Sequence, residues 1–474
     1  MSEREYDVIV IGAGPVGENA ADRAHKAGLS VAIVEKHLVG GECSFYACSP
    51  SKALLRPIHA TRASQRVQGS VGAQVDPAGV LARRDEWVNR VGTSDELDDS
   101  GQVGWLEHVG IDLVRGEAKV VGERLVEVDG ATRLRARHAV VVATGTDPAV
   151  PDLPGLRDAK PWTNREATTS RRVPERLVVL GGGVVACELA QVYAALGSTV
   201  TVLEQADRLL GRLEEFAATA VREALERDGV DVRLGTKAVS VSRAGVSGEV
   251  TVTLESGDTI VGDELLVAVG RRPVSDRLGL DSVGAQSNDA GYLAVDERMR
   301  VRGVDGDWLY AVGDANGLSL LTHMGKYQAR AAGDLIGAVA TGREPDPDKT
   351  VPFATDLGAP QVVFTDPEVA GAGLTADEAE ARGIRTRVVD VPMDSAAGSG
   401  LQAEGYQGQA RFVVDESRGV LVGATFVGQD VAELVHAATV AIVGEVPLTR
   451  LWHAVPSYPT MSEIYLRLLE EYGL

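Results

Sequence analysis

Two of the three cysteines of this sequence, Cys43 and Cys48, lie five positions apart in the segment 40–52. A helix-like run at 53–63, interrupted by Pro57, follows them. A thiol near the N-terminus of a helix lies in the positive field of the helix dipole, which lowers the thiol pKa and favours redox chemistry. Two unrelated buried cysteines are the alternative, but the pair directly follows a glycine loop of the kind that binds a nucleotide. We therefore expect Cys43 and Cys48 to form a redox pair.

The glycine loop ahead of the cysteines, Gly12-Ala13-Gly14-Pro15-Val16-Gly17, stands between a predicted buried strand at 6–11 and a predicted helix at 18–27. A second strand, at 30–34, ends at Glu35, whose carboxylate can accept a hydrogen bond from a ribose hydroxyl. Three glycines of the loop provide a tight turn, close approach of the backbone to a pyrophosphate, and packing of helix on strand: Gly12, Gly14 and Gly17. This unit predicts a dinucleotide site, with a solvated strand-end carboxylate as the alternative for Glu35.

The same unit occurs a second time, after a predicted strand at Arg176–Leu180. Its turn carries Gly181 and Gly183, with alanine in the third place, and leads into a predicted helix at 187–196. A return strand at 199–203 ends at Glu204. Two separate copies of one nucleotide-binding unit imply two dinucleotides in one chain, which is the pattern of a flavoprotein that oxidises or reduces a nicotinamide.

The rest of the chain predicts further elements of an α/β protein. Alternating or buried apolar runs predict strands at 111–114, 118–128, 139–145, 250–269, 308–315, 361–365, 410–414 and 419–427. Helices are predicted at 80–91, 321–339 and 460–472. Polar or proline-rich stretches predict loops and linkers at 93–101, 147–155 and 342–348.

The bulk composition excludes several classes of function. The 474 residues carry a net charge of −21, which argues against nucleic acid and anionic membranes as partners. Three cysteines cannot build a secreted disulfide framework, and no apolar run reaches the length of a signal segment or a membrane span. We expect a cytoplasmic protein with no metal site.

With these motifs laid out, the sequence resembles the pyridine nucleotide–disulfide oxidoreductases over essentially its full length. That family includes dihydrolipoamide dehydrogenase, glutathione reductase and mercuric reductase. The matching motifs are the two glycine loops, Glu35, the cysteine segment with Pro50-Ser51-Lys52, Ala143-Thr144-Gly145, Gly270-Arg271-Arg272-Pro273, Gly313-Asp314 and Phe364-Thr365-Asp366-Pro367-Glu368.

The resemblance implies FAD on the first loop and NAD(P)H on the second, with the nicotinamide and the cysteine pair on opposite faces of the isoalloxazine. Cys43 would exchange with substrate, and Cys48 would lie against the flavin. Lys52 and Glu188 would pair beside the reactive edge of the flavin, where a cation stabilises negative charge. Asp314 would bind the ribityl chain.

The implied architecture has two Rossmann-like dinucleotide-binding domains and a C-terminal α+β dimerisation domain. We divide it into a first part of the FAD-binding domain (1–150), an NAD(P)-binding domain (151–275), a second FAD-binding part (276–348) and an interface domain (349–474). The last would form a homodimer and complete the partner's active site. Cys187 matches no motif, so a buried core thiol is expected there.

The expected cofactor-binding residues follow from these matches. They are Gly12, Gly14, Gly17, Glu35, Lys36, Gly41, Thr144, Gly145, Gly181, Gly183, Glu204, Gly270, Arg271, Gly313 and Asp314. Glu204 favours NADH, because a carboxylate accepts from a 2′-hydroxyl and repels a 2′-phosphate. Arg208, one turn later, could offset that repulsion, so NADP(H) stays open.

The sequence departs from the family in two places. Around the thiols, Glu42, Phe45 and Ala47 replace the usual threonine, asparagine and glycine, and this bulkier, more acidic setting predicts a higher thiol pKa. Tyr458 replaces the histidine that dithiol-processing members carry before Pro-Thr, and tyrosine, with a pKa near 10, is a poor base at neutral pH.

Other residues near that second departure keep the question of acid–base chemistry open. Glu463, which orients the histidine in the family, is retained, and His453 is a possible substitute base or an interface residue. Tyr458 itself could be simple packing. Mercuric reductases also have tyrosine in this neighbourhood but depend on a C-terminal cysteine pair, and this sequence ends at 470–474 without one.

Three functions are consistent with these features. The leading interpretation is a dihydrolipoamide-dehydrogenase-like enzyme acting on a small disulfide or dithiol. The alternative is a reductase of quinones or metal ions that needs no histidine base. The third is a redox-sensing flavoprotein with little turnover.

Overall fold

The computed structural model describes residues 2–245 and 248–474. Met1, where the first predicted domain begins, lies outside the described residues. The described chain forms two compact units, each assembled from three segments. Unit 1 consists of Met1–Pro50, Asp85–Pro148 and Arg271–Thr355, and unit 2 consists of Ser51–Arg84, Ala149–Gly270 and Asp356–Leu474.

The strands, in chain order, are β1 (Ser2–Ile11), β2 (Val31–Glu35), β3 (Asp112–Arg115), β4 (Ala118–Gly122), β5 (Leu125–Val128), β6 (Thr132–Val142), β7 (Thr146–Pro148), β8 (Arg176–Leu180), β9 (Thr199–Leu203), β10 (Asp231–Arg233), β11 (Ala238–Arg243), β12 (Val250–Leu254), β13 (Thr259–Gly262), β14 (Glu264–Val267), β15 (Arg271–Pro273), β16 (Leu309–Ala311), β17 (Pro360–Val363), β18 (Glu368–Gly373), β19 (Thr386–Pro392), β20 (Gln409–Asp415) and β21 (Val420–Gly428).

The α-helices are α1 (Pro15–Lys26), α2 (Gly41–Phe45), α3 (Cys48–Gln65), α4 (Pro77–Trp87), α5 (Ser100–Val109), α6 (Asn164–Thr169), α7 (Val184–Ala195), α8 (Glu215–Arg227), α9 (Thr322–Ala340), α10 (Pro347–Thr350), α11 (Ala354–Leu357), α12 (Ala376–Ala381), α13 (Ala397–Gln402), α14 (Val435–Val443), α15 (Leu448–Leu451) and α16 (Ile464–Tyr472). Short 3₁₀ turns include Gly313–Asn316 and Met461–Glu463.

Unit 1 is built on one sheet in the order β3-β2-β1-β6-β5-β4, with β16 paired to the end of β6. Strands β3, β2, β1, β6 and β16 pair in parallel, whereas β4 and β5 form an antiparallel extension. The central strand β1 is apolar on both faces, with Val8, Ile9 and Val10 fully buried. A strand buried on both faces is typical of a parallel sheet that is covered on both sides, and its carboxyl end opens into the glycine loop.

Unit 2 contains a four-stranded parallel sheet in the order β10-β9-β8-β14 and a three-stranded antiparallel sheet, β11-β12-β13. It also contains a five-stranded antiparallel sheet, β17-β18-β21-β20-β19. The inner faces of that last sheet pack on α14 and α16 through a cluster that includes Phe412, Phe426 and Tyr465. The predicted fold class is therefore confirmed: two parallel dinucleotide-type sheets and a C-terminal α+β region.

Several local predictions needed correction. Pro57 does not interrupt the helix after the cysteines, because α3 continues from Cys48 to Gln65 with the proline inside it. The predicted strand at 118–128 is a hairpin of β4 and β5, with Arg124 at a φ of 53° in its turn. The predicted loop at 93–101 runs into α5, a helix that the sequence pattern missed.

None of the helices in the part of the chain that the structure describes is long and apolar enough to cross a membrane.

Candidate active site

The first glycine loop lies in unit 1 at the carboxyl end of β1. Gly12 has a φ of +101°, and a Cβ placed there would lie 2.5 Å from the Ala143 carbonyl oxygen. A Cβ on Gly17 would lie 1.8 Å from the Gly12 carbonyl oxygen, so side chains are excluded at both positions. Gly14 caps α1, whose first residue is a proline. The sequence therefore has glycine where the loop must turn tightly and where α1 must pack closely.

The predicted ribose ligand Glu35 holds this loop in place. Its Oε2 accepts a hydrogen bond of 2.8 Å from the Ala13 N–H, and its Oε1 accepts one of 2.7 Å from the His37 N–H. The neighbouring Lys36 is partly exposed, with its ammonium 3.4 Å from Glu117. Glu35 thus has lone pairs left for a hydroxyl donor, because each carboxylate oxygen accepts more than one hydrogen bond.

The cysteine segment packs directly on the glycine loop. The Gly40 N–H donates to the Ala13 carbonyl at 2.7 Å. A Cβ on Gly41 would lie 2.9 Å from the Gly14 Cα, so the two backbones touch at this point. Because α2 begins at Gly41, the helix that carries Cys43 starts against the predicted pyrophosphate loop.

Both predicted redox sulfurs meet at Thr322, the first residue of α9. The Thr322 hydroxyl donates to Cys43 Sγ at 3.3 Å and lies 3.4 Å from Cys48 Sγ. No disulfide joins these two described cysteines. Cys48 is also the first residue of α3, so its sulfur lies at a helix N-terminus, as expected.

The pKa of the Cys43 thiol is raised, mainly by its hydrogen bond with Cys48 and then by burial. Thr322 and the Lys326 ammonium act in the opposite direction. The expected increase is therefore present, but Glu42 is not its main source. The Glu42 carboxylate is paired with Arg271 at 3.0 Å, which compensates its charge.

Arg271 links Glu42 to the predicted ribityl ligand. Its guanidinium donates to the hydroxyl and the carbonyl of Thr146, and the Thr146 hydroxyl donates to Asp314 Oδ2 at 2.7 Å. Burial raises the pKa of Asp314, while Thr146 and Arg271 oppose that change. Strands β7 and β15 pair antiparallel and bring Arg271 to Thr146, with Gly270 turning into β15 at a φ of +130°.

The residues of unit 1 fit the adenine dinucleotide that the glycine loop predicts. The Thr144 hydroxyl is buried and has no hydrogen-bond partner among the described residues, and it lies at the end of β6 beside Gly145, which has a φ of +68° and open space around it. The Gly313 N–H donates to Gln328 Oε1 at 2.9 Å. The polar group of this turn that can bind a ligand is therefore the Asp314 carboxylate. An unsatisfied hydroxyl, a buried carboxylate and a side-chain-free loop together suit a polar ligand such as FAD.

The second glycine loop, in unit 2, has the same backbone geometry as the first. Gly181 has a φ of +107°, and a Cβ there would lie 2.5 Å from the Ala268 carbonyl oxygen. Gly183 caps α7 and has open space around it. Glu204 Oε1 accepts from the Ala206 N–H at 2.7 Å, as Glu35 Oε1 does from the His37 N–H, and a Cβ on Gly182 would lie 2.9 Å from Glu204 Oε2. These residues fit a second dinucleotide.

Lys52 and Glu188, predicted to pair, form an ion pair in unit 2. Lys52 Nζ lies 2.8 Å from Glu188 Oε2, and the Glu188 side chain is only 4% exposed. The other carboxylate oxygen accepts from the Phe364 N–H at 2.9 Å, and the Lys52 ammonium lies 4.8 Å from the centre of the Phe364 ring. Every polar atom of Glu188 is therefore engaged, which fixes the position of the ammonium.

The expected acid–base residues at the C-terminus differ in burial. Tyr458 is 77% exposed and His453 is also exposed. Glu463, at the position whose glutamate orients the histidine in the family, is buried, accepts from the Ala397 N–H at 3.0 Å and pairs with Arg467. Glu463 therefore anchors its own segment in this chain.

Cys187 is fully buried and donates to the Gly182 carbonyl, so its expected role as a core thiol is confirmed. The residues described contain no cluster of three or more His, Cys, Asp or Glu side chains able to hold a metal ion.

Sequence reasoning missed three residues of the site: Thr146, Thr322 and Lys326. Thr322 and Lys326 lie in a helix that was predicted, but nothing local marks them, because their partners are about 280 residues away in sequence. Thr146 directly follows the Thr144-Gly145 motif at the end of a predicted strand, and this position could have marked it as a residue of the site.

Comparison with known proteins identifies the family. A family model described as pyridine nucleotide-disulphide oxidoreductase matches residues 6–332, and the dimerisation-domain model of the same family matches residues 359–468. A dihydrolipoyl dehydrogenase from Thermus scotoductus is 34% identical over 467 residues, 97% of this chain and 96% of that protein. A mercuric reductase from Staphylococcus aureus is 29% identical over 466 residues, 97% of this chain and 81% of that protein.

Solved structures show the same fold. The HOCl-induced flavoprotein disulfide reductase RclA from Escherichia coli superposes with a TM-score of 0.82 at 24% identity, covering 98% of this chain and 99% of that one. LpdA from Mycobacterium tuberculosis superposes with a TM-score of 0.83 at 23% identity, covering both chains fully (100% each). The chain belongs to the pyridine nucleotide-disulphide oxidoreductase family and is an FAD-dependent enzyme that moves electrons between NAD(H) and a disulfide.

Proposed function

We propose that this enzyme oxidises or reduces a small dithiol or disulfide of the dihydrolipoamide type through Cys43 and Cys48. One observation carries the proposal: both sulfurs contact the Thr322 hydroxyl, at 3.3 and 3.4 Å, in a segment that packs on the first glycine loop. Relatives named dihydrolipoyl dehydrogenase, at 32–34% identity over nearly the whole chain, support the substrate class.

FAD, when bound, supplies two-electron transfer between a nicotinamide and the cysteine pair. In the disulfide-reducing direction, the Cys43 thiolate attacks one sulfur of the substrate, and the substrate S–S bond breaks to release a thiol. Cys48 then attacks Cys43 in the resulting mixed disulfide, which releases the second substrate thiol and leaves Cys43–Cys48 oxidised. Two electrons and two protons pass from the dithiol to the substrate, and a hydride from NADH together with one proton from solvent restores the dithiol.

We assign two supporting roles in unit 2. The Lys52 ammonium, fixed by Glu188, would supply a positive charge able to stabilise negative charge on a reduced cofactor. Glu204 favours NADH over NADPH, because its carboxylate lies at the end of β9, where a 2′-phosphate would otherwise bind. Arg208, which could offset this charge, donates to the Gly211 carbonyl at 2.8 Å and keeps its positive charge, so NADP(H) remains the alternative cofactor.

The dimerisation-domain match supports a homodimer. Within it, we propose that the exposed Tyr458 and His453 of one protomer face the dithiol site of the partner, with Glu463 anchoring the segment that carries them. The low cysteine content favours the cytoplasm as the compartment.

A second candidate function is the reduction of quinones or metal ions. The observation that favours it is Tyr458 itself, because a chain without an imidazole at this position is a weaker catalyst of dithiol deprotonation. The mercuric reductases among the relatives support the same alternative.

The deciding experiment is a steady-state assay of the purified protein with lipoamide, small thiol disulfides, quinones and Hg(II), using NADH and NADPH in parallel. We expect the highest kcat/KM for a small disulfide with NADH, and loss of that activity in Cys43→Ser. Quinone reduction that persists in Cys43→Ser, with no disulfide turnover in the unmodified enzyme, would instead establish the second candidate.

A further inference from the structure

Helices α1 and α9 of unit 1 pack side by side with their N-termini at the same end. A Cβ on Gly325, near the start of α9, would lie 2.7 Å from a methyl group of Val16, near the start of α1. One turn further along, Arg330 reaches the Asn19 side chain at 3.4 Å. Because later residues of one helix contact later residues of the other, the first turn after the glycine loop faces the turn that follows Thr322.

Glu18, in the first turn of α1, is an unexplained polar group in this region. Its Oε1 is buried and has no hydrogen-bond partner among the described residues. Buried carboxylate oxygens are ordinarily hydrogen-bonded, so an unsatisfied one marks a functional or ligand-binding position. Burial raises the pKa of Glu18 to about 7, and the Lys326 ammonium opposes that shift.

Lys326 connects Glu18 with the thiols. It lies four residues after Thr322 on α9, and therefore on the same face of the helix as the residue that contacts both sulfurs. Its positive charge lowers the pKa of the Cys43 thiol and also that of the Glu18 carboxyl. One ammonium thus acts on two acids.

The other charged groups around this cluster are engaged elsewhere or exposed. On α9, Arg330 is held by Asn19 and His323 is exposed. On the cysteine segment, Glu42 is paired with Arg271. Lys326 is therefore the cation whose charge the thiol and the carboxyl share.

We propose that Glu18 holds the proton that leaves the Cys43 thiol, with Lys326, on the face of α9 that carries Thr322, as the cation that acts on both groups. One ammonium compensates one negative charge, so that a thiolate at Cys43 favours the protonated form of Glu18 and a thiol favours the carboxylate. This inference rests on the proposed thiol–disulfide function. It supplies a proton acceptor within the protomer. Such an acceptor is needed because this chain has Tyr458 at the position where dithiol-processing members of the family carry a histidine.

The proton balance is as follows. When Cys43 attacks a substrate disulfide, its S–H bond breaks and the proton passes to the Glu18 carboxylate. As the substrate S–S bond breaks, the leaving sulfur takes that proton and becomes a thiol, and Glu18 is again ionised. The electrons of the new S–S bond come from the Cys43 thiolate, so that no further oxidant or reductant is needed.

The test measures the ionisation of Cys43 directly. In the Cys48→Ser holoenzyme, the rate of alkylation by iodoacetamide is followed against pH, since Cys187 is buried and cannot compete. Glu18→Gln removes the competing negative charge, so the midpoint should fall by about one pH unit, whereas Lys326→Met should raise it by about one unit. Asp22→Asn, one turn along α1 and paired with Lys26 at the surface, is the matched control and should leave the midpoint in place.

A second readout keeps this inference separable from the proposed function. In an otherwise unmodified enzyme, Glu18→Gln should remove the ionisation near pH 7 from the kcat profile for disulfide reduction, and Asp22→Asn should retain it. An alkylation midpoint in Glu18→Gln equal to that of Asp22→Asn would overturn the role of Glu18, even if Cys43-dependent turnover is intact. Turnover that persists in Cys43→Ser would overturn the proposed function instead, whatever the midpoints.

Discussion

The thiol site of unit 1 and the C-terminal segment, residues 453–463, differ in how completely one chain builds them. In the thiol site, Cys43 and Cys48 come from two helices and meet the hydroxyl of Thr322 from a third. In the C-terminal segment, Tyr458 is 77% exposed, and the Glu463 carboxylate is bonded to Ala397 and Arg467. The contrast is between two sulfurs held by contacts within unit 1 and a tyrosine that is largely exposed.

The two regions also differ in the hydrogen bonding of a buried carboxylate. Glu463 has both oxygens bonded, which is what a structural anchor requires. Glu18 has a buried oxygen with no partner among the described residues and shares Lys326 with a thiol. A satisfied carboxylate stabilises its segment, while an unsatisfied one is available to exchange a proton.

The largest expected effect comes from the thiol site. Cys43→Ser should lower kcat/KM for disulfide reduction by roughly a thousandfold or more, because serine cannot replace the exchanging sulfur. The measurement is NADH-dependent disulfide turnover at saturating NADH. Cys187→Ala, at the third cysteine, is the matched control and should retain activity, since its thiol is buried beside Gly182. Equal losses in the two variants would mean that the contrast between a chemical and a structural thiol is wrong.

A gain of function tests the C-terminal segment. If Tyr458 faces the partner's dithiol, Tyr458→His should raise the rate of dihydrolipoamide oxidation at pH 7.5 by about tenfold or more, because an imidazole is a far better base there than a phenol. Tyr458→Phe should change the rate little, and His453→Ala shows whether the nearby imidazole already serves as base. A His variant that binds substrate normally but gains nothing would place residue 458 outside the reaction.

A smaller effect is expected from Thr322, which belongs to the thiol site but transfers no electrons. Thr322→Val keeps the shape and removes the hydrogen bond to Cys43, which acts to lower the pKa of that thiol. The alkylation midpoint of Cys43 should therefore move to higher pH, by up to about one unit. Thr322→Ser restores the hydroxyl and should restore the midpoint. A shift that serine does not reverse would point to packing rather than to the hydrogen bond.

Local patterns in the sequence predicted the parts of the fold that depend on neighbouring residues. The strands Arg176–Leu180 and Thr199–Leu203 have the predicted bounds, because short β-branched runs with a glycine close to one end leave little choice. Helix α5 was missed because two glycines and a polar start hide its apolar face. Thr322 and Lys326 could not be found in this way, because only the packing of α9 against the start of the chain brings them to the cysteines.

The smallest expected effect separates the anchoring of the C-terminal segment from its chemistry. Glu463→Gln weakens the pair with Arg467 and the charge-assisted bond to the Ala397 N–H, and should cost about 1–2 kcal/mol of unfolding free energy. Glu470→Gln removes the exposed partner of the same arginine and should cost less than about 0.5 kcal/mol, since exposed ion pairs contribute little. Urea unfolding followed by fluorescence measures both variants. If Glu463→Gln lowers disulfide turnover without lowering stability, the carboxylate acts in the chemistry through the neighbouring protomer. In that case the C-terminal segment is not only a structurally anchored region.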